Sequence, residues 1–381
     1  MRVLITGGAG FIGSNVALKL IEKGYEVTVL DNLSPQIHGN NPENSELYMS
    51  IKDKVNFILG TVTSKEDWKK ALKDADVIVH LAAETGTGQS MYEIEKYVDT
   101  NIKGTAIMWD ILTNEKYSVK KVVVAASRAI YGEGKYYCNE HGEVYPVERE
   151  LKDLENKDFA VKCPICHKNV KLLGTTEDSK IHPTSLYGLT KSVQEEMSLL
   201  LGKSINIPVV TYRYQNVYGP GQSLKNPYTG ILSIFSTRIK NGNNINIFED
   251  GKESRDFVYI SDVADATILG IEKKEANYQS FNVGTGVNID VLTVAETLKR
   301  LYKSDVKIEV SGNFRLGDIR HNFADISKIK ELLGYEPKYN FEQGMEKFVE
   351  WVNKQPVEQD NYEASILEMK AKGLYLSLIH I

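Results

Sequence analysis

A chain of 381 residues, 42% hydrophobic and 25% charged, can bury a large core and hold two domains or one domain with insertions. Its formal net charge of -5 is spread without a basic block, which argues against nucleic acid as a partner. No apolar run approaches the roughly 20 residues of a membrane span, no signal-peptide pattern precedes the first strand, and three cysteines are too few for a disulfide framework. The expectation is a cytoplasmic protein with no membrane segment.

In chain order, RVLIT (2–6), EVTVLD (26–31), VNFILG (55–60), VIVHLAA (77–83) and KVVVAAS (121–127) are short β-rich apolar runs. Each is separated from the next by a stretch that can hold a helix. Near-continuous apolar strands of this kind belong to a parallel sheet covered on both faces, which predicts a doubly wound α/β fold. After residue 213 the order loosens, with loops and short strands over 241–260 and a helix over 261–274 capped by Ser261. The reading is a doubly wound domain over 1–213 interrupted by an insert at 133–182, a smaller α/β region over 214–355, and a tail over 356–375. The last six residues, LSLIHI, are the translation of CTG TCT CTT ATA CAC ATC, the end of a transposon used to fragment DNA for sequencing. Residues 376–381 are therefore read as adapter sequence and set aside.

The turn after the first strand reads ITGGAGFIGSN and opens a helix near Phe11. Gly7, Gly10 and Gly13, with Phe11 and Ile12 between the last two, let the backbone approach a pyrophosphate. The free N–H groups at the helix start meet its charge. Asp31 ends the second strand, followed by Asn32, at the distance where a carboxylate binds the adenine ribose hydroxyls. This is a Rossmann-type site, and a carboxylate there repels a 2′-phosphate, favouring NAD over NADP.

In SLYGLTKSVQEEM, Tyr187 and Lys191 stand four apart on one helical face. A nearby ammonium favours a phenolate, so the pair can move a proton near neutrality. Ser127 ends the KVVVAAS strand, where ligands gather in such sheets, and its hydroxyl can hold a substrate oxygen against Tyr187.

TGGAGFIG, HLAA (80–83), Asn101 in TNIKGT, AASRAIYG, YGLTK, RYQNVYGP, RDFVYISDV and GDIRHNFADISKIKELLGYEP together resemble the extended short-chain dehydrogenase/reductase family that acts on nucleotide sugars. Within it, AAETGTGQSMYEIEKYV and a cysteine-bearing insert before the tyrosine are most similar to dTDP-L-rhamnose 4-epimerases. The resemblance implies Tyr187 as acid/base, Lys191 on the nicotinamide ribose, and Ser127 on the sugar hydroxyl. It implies Leu81, Ala82, Ala83 and Asn101 along the cofactor, and Thr85, Arg128, Asn216, Arg255 and Arg315 around the nucleotide sugar. His80 is expected near the cofactor without a chemical role. One departure is Thr61, where the family usually places an aspartate toward adenine. The implied reaction is NAD-dependent 4-epimerisation through a transient 4-keto sugar. Ser127-Arg128-Ala129-Ile130 has no carboxylate, which disfavours the elimination that dehydratases of the family perform. The competing readings are a 4-keto-sugar reductase or dehydrogenase, an epimerase of another nucleotide hexose, and a non-catalytic NAD-sensing protein. Residues 91–112 are expected to supply a homodimer face, as helices do in the family.

Cys138-x2-His141 and Cys163-x2-Cys166 place four ligands in two turns, the spacing of a zinc ribbon and a closed structural site. His167 is an alternative fourth ligand. An insert of this size buries little core, and a metal can hold it folded.

Overall fold

The computed structural model describes residues 1–224, 230–315, 317–373 and 375–376. Seven strands form one parallel sheet: β1 (Arg2–Thr6), β2 (Glu26–Asp31), β3 (Asn56–Leu59), β4 (Val77–His80), β5 (Lys121–Ser127), β6 (Val209–Tyr214) and β7 (Gln279–Val283). Their order is β7-β6-β5-β4-β1-β2-β3, so the direction of winding reverses between β1 and β4. The first five are those expected from the apolar runs, though the third and fourth end earlier. Residues 81–83 leave the ladder once Leu81 N–H has bonded the Thr6 carbonyl at 3.1 Å. The last two strands lack a continuous apolar run. In β6 a charged residue, Arg213, is buried because Glu195 takes its Nε at 3.1 Å through both carboxylate oxygens. In β7 the ladder to Val210–Tyr214 compensates for a polar opening, Gln279-Ser280.

The helices that matter here are α1 (Phe11–Glu22), α2 (Gly104–Asn114), α3 (Leu186–Ser204), α4 (Ile231–Lys240), α5 (Ile260–Glu272), α6 (Val291–Tyr302) and α7 (Phe341–Lys354). One sheet face is covered by α1 and α5, with Val16, Leu20, Val263 and Ile271 packed on Ile5 and Val29. The other carries Trp68, Met108 and Trp109 against Leu4, Ile78 and Val122. A separate cluster of Phe235, Leu298 and Phe348 ties α4, α6 and α7 around the strands Ile245–Ile247 and Phe257–Tyr259.

Ser261 does not cap α5. The helix begins at Ile260, and the Ser261 hydroxyl and carbonyl instead accept the Lys19 ammonium from α1 at 2.9 and 2.8 Å. Helix α3 starts at a true cap, Ser185, whose hydroxyl accepts the Gly188 N–H at 3.1 Å.

The insert forms a three-stranded antiparallel sheet, Gly142–Val144, Tyr136–Cys138 and Lys171–Leu172, with Tyr136–Cys138 central. Its core is small: Tyr136, Cys138, Val144, Val161 and Cys163. In the tail, Tyr375–Leu376 pairs antiparallel with Phe314–Arg315. Leu376, the first residue of the segment set aside, is thus a ladder partner of Phe314, and residues 377–381 lie outside the described residues. Among the described residues no helix is long and apolar enough to cross a membrane.

Candidate active site

A cavity of about 380 Å³ opens at the carboxyl ends of β1, β2, β4 and β5, over the point where the strand order reverses. Gly7, Gly10, Phe11, Ile12 and Gly13 form its floor, and Asp31 and Asn32 one end. Gly7 has φ +68, and a Cβ there would stand 2.8 Å from the Ala82 backbone; one on Gly13 would stand 2.2 Å from the Gly7 carbonyl oxygen. Only glycine closes this turn. No side chain caps α1, which leaves its first amides for an anion.

Asp31 is fixed by N–H donors from Ala9 at 2.9 Å and Leu33 at 2.8 Å. Burial raises its pKa, while those two amides and nearby His38 oppose the rise. The carboxylate is thereby aimed at the cavity with lone pairs to spare for ribose hydroxyls. Thr61 lines the same end. Its N–H donates to Asp67 at 3.1 Å, so a carboxylate does hold this loop, from the following helix and through the backbone.

Leu81, Ala82, Ala83 and Thr85 line the cavity after β4. Asn101 does not line it: its side chain accepts from Glu84 N–H at 2.8 Å and donates to the Glu84 carbonyl at 3.1 Å and the Thr190 hydroxyl at 3.0 Å. It ties the loop after β4 to α3. His80 is buried between the hydroxyls of Thr6 at 2.7 Å and Thr105 at 2.9 Å. Burial, then the Lys191 charge, drive its pKa down to about 3, so it stays neutral and structural.

Ser127, Tyr187 and Lys191 converge on the cavity wall. Ser127 begins a tight turn, Arg128–Tyr131, its hydroxyl accepting the Ala129 N–H at 3.2 Å. That turn packs against the start of α3 so closely that a Cβ on Gly188 would lie 2.4 Å from the Ala129 carbonyl oxygen. Lys191 turns its ammonium to the Ala125 carbonyl at 2.8 Å, and burial lowers its pKa to about 7. Burial raises the pKa of Tyr187, opposed by a Ser127 hydrogen bond and the Arg128 charge.

Arg128 and Asn216 do not line the cavity, but each adjoins residues that do, and Arg128 Nε donates to Asn216 Oδ1 at 2.5 Å. Among the described residues Arg255 forms no direct carboxylate ion pair: it donates to the carbonyls of Ser254 at 2.8 Å, Ile319 at 2.8 Å and Arg320 at 3.0 Å. Burial pushes its pKa down, while the carboxylates of Asp318, Glu133 and Glu253 act on its charge without a direct bond. Arg315 pairs with Asp318 at 2.7 Å and lies over the Phe248 ring. Burial, then the Arg255 charge, push the Arg128 guanidinium down.

In the insert, the Cys138 thiol is 3.6 Å from His141 Nδ1 and 3.6 Å from the Cys166 thiol, and the Cys163 thiol is 3.6 Å from His141 Nδ1. All four ligand atoms lie within 4.8 Å of one another. A tetrahedral zinc with ordinary bond lengths needs about 3.8 Å between sulfurs and about 3.6 Å between sulfur and nitrogen. His167 is not a member of this group. The Glu140 amide, with His141 beside it, holds the Cys138 thiol down at about 6.

Residues that were not singled out also line the cavity: Gln36 and His38 from the short helix after β2, Gln215 within the RYQNVYGP run, and Gln222 beyond it. The signal available for them was position, since each follows a sheet strand at its carboxyl end.

The chain matches the model of the NAD dependent epimerase/dehydratase family over residues 3–149 and 168–284. It is similar to a dTDP-L-rhamnose 4-epimerase of Burkholderia thailandensis, 34% identical over 92% of this chain and 94% of that one. A putative UDP-glucose 4-epimerase of Methanocaldococcus jannaschii is 31% identical over 92% and 98%. Among solved structures, a UDP-glucose 4-epimerase of Thermotoga maritima with UDP-glucose superimposes with a TM-score of 0.75 at 31% identity, covering 93% and 99%. A UDP-glucuronic acid 4-epimerase of Bacillus cereus with UDP-glucuronic acid and NAD gives 0.74 at 25%, covering 93% and 99%. The glycine turn, Asp31 and the serine, tyrosine and lysine meeting on one cavity agree with that match, and the chain belongs to the NAD-dependent epimerase/dehydratase family of enzymes.

Proposed function

We propose that this enzyme is a nucleotide-sugar 4-epimerase acting on dTDP-L-rhamnose. The observation that carries the reaction type is the convergence of Ser127, Tyr187 and Lys191 on the dinucleotide cavity, beside a turn, Arg128–Tyr131, that has no carboxylate to drive elimination. Similarity to the Burkholderia thailandensis enzyme supports the sugar.

NAD would rest on Gly7, Gly10 and Gly13, with its adenine ribose on Asp31 and its nicotinamide ribose on Lys191, and would supply reversible hydride acceptance at C4 of the sugar. Ser127 orients the C4 hydroxyl, and Tyr187 takes its proton and later returns it to the opposite configuration. The Arg128 charge favours the phenolate that this exchange requires. Arg255 and Arg315, with Asn216, take the nucleoside diphosphate, a role that suits guanidinium groups, which pair with phosphate oxygens through charge-assisted bonds.

Cys138, His141, Cys163 and Cys166 bind one structural zinc; the donor set and the 3.6 Å separations support this. Three unpaired cysteines suit a cytoplasmic setting. The protein pairs as a homodimer through the 91–112 segment and α3, where Ile94, Leu189 and Leu200 expose apolar side chains.

The test is NMR of the sugar protons after incubation with dTDP-L-rhamnose, without added cofactor and then with NAD. The C4 epimer is the expected product. Turnover of a UDP-sugar instead would replace the sugar, a full equivalent of NADH would favour a dehydrogenase, and NAD binding with no product would favour a sensor.

A further inference from the structure

The insert reaches beyond its own small core. Glu133, 2% exposed, accepts the N–H groups of Arg320 at 2.8 Å and His321 at 3.4 Å, and the Tyr136 hydroxyl at 3.2 Å. Arg149, whose side chain is 5% exposed, makes two parallel bonds of 2.7 Å to Glu249 and one of 2.9 Å to the Asp318 carbonyl. Glu249 in turn takes Arg320 at 2.8 Å. The return leg pairs as well: Thr175 N–H donates to the Phe323 carbonyl and its own carbonyl accepts Asp325 N–H, both at 2.9 Å. The insert therefore grips the 318–325 segment at three places, largely through backbone groups.

That same segment holds, through hydrogen bonds, the two arginines assigned to the diphosphate. The carbonyls of Ile319 and Arg320 hold the Arg255 guanidinium, and the Asp318 carboxylate holds Arg315. Each is one bond from a group fixed by Glu133 or Arg149. Buried charges left without partners are costly, so Glu133 and Arg149 are set in one geometry by each other and by their partners. A displacement of the segment would carry both guanidiniums with it, and small misplacements of a binding group are costly to substrate alignment.

We infer that Glu133 and Arg149 are positioning residues for substrate: the insert sets the aim of Arg255 and Arg315 on the nucleoside diphosphate without itself touching the reacting sugar. The inference rests on the reading that those two arginines take the diphosphate. It gives the insert a role in substrate affinity, separate from proton transfer at Tyr187.

The experiment uses full-length Glu133→Gln, Arg149→Lys and Arg255→Ala, each compared with wild type by calorimetric titration with dTDP, with UDP and with NAD, and by steady-state kinetics. Glu133→Gln keeps the side-chain shape and removes the charge, and Arg149→Lys keeps the charge while losing the planar fork and its paired bonds. They are expected to weaken nucleoside diphosphate binding and raise KM about tenfold, with kcat and NAD affinity within about twofold. Arg255→Ala should weaken the nucleoside diphosphate at least as much. If Arg255→Ala loses affinity while both insert variants bind as wild type, the positioning role is overturned and the arginine reading stands. If Arg255→Ala binds the nucleoside diphosphate as wild type, the arginine reading falls first. Equal losses of NAD and nucleoside diphosphate affinity in Arg149→Lys would show a general effect on the fold and also overturn the role.

Discussion

Lys191 and Ala125 are joined by a 2.8 Å hydrogen bond that ties helix α3 to strand β5 beneath the cavity. Burial lowers the lysine pKa from 10.5 to about 7, so between those values the unfolded chain binds a proton that the folded chain does not. Folding stability rises with pH through that window, by up to about 1.4 kcal/mol per pH unit for this one group. Below about pH 7 both states are protonated and the slope vanishes. Lys191→Met should remove the slope, measured as the difference between variant and wild type in urea midpoints across the window. Parallel curves would take Lys191 out of the titrating set.

Tyr187→Phe keeps the ring that fills the cavity wall and removes the proton carrier. Turnover should fall on the order of a thousandfold, while NAD affinity by fluorescence titration stays at the wild-type value. Retained turnover would remove Tyr187 from the reaction.

Arg128 bears on the same proton. Its positive charge opposes the burial that raises the Tyr187 pKa, so Arg128→Met should move the acidic limb of the kcat profile to higher pH, by about one unit. A limb that stays in place, or moves to lower pH, would contradict the sign.

Asp31 accepts two backbone N–H groups and still faces the ribose end of the cavity. Asp31→Ser should weaken NAD about tenfold through the lost charged acceptor and narrow the preference over NADP. Equilibrium binding of both cofactors checks it.

Cys163 is fully buried in the insert core. Elemental analysis should find one zinc per wild-type chain and none in Cys163→Ser, and limited proteolysis should cut the variant first within 133–182. Zinc retained at full occupancy in the variant would remove Cys163 from the ligand set.

What could be read without the structure followed from how local each signal is. Strands β1 to β5 are apolar runs, and the glycine turn with Asp31 sits in a strand-turn-helix frame that one short window contains. The two cysteine turns were legible for the same reason, each being a local spacing. By contrast, β6 hides a charge made tolerable by Glu195 on α3, by the Tyr131 hydroxyl and by the Glu177 carbonyl, all distant in sequence. Ser261 looked like a cap because the competing partner, Lys19, is 242 residues away in sequence. Glu133 and Arg149 carried no motif, since their meaning lies in partners at 249 and 318–321.

Drawing β7 from residues 279–283 has a consequence for the nascent chain. Strand β6, buried along its whole length in the finished protein, has an open outer edge until that segment leaves the ribosome. At about 5–20 residues per second the wait lasts several seconds, with Val209, Val210 and Tyr212 presented on an unpaired ladder. A chain halted after β6 would therefore be prone to aggregate edge to edge, and the growing chain depends on chaperones or on speed until its seventh strand arrives.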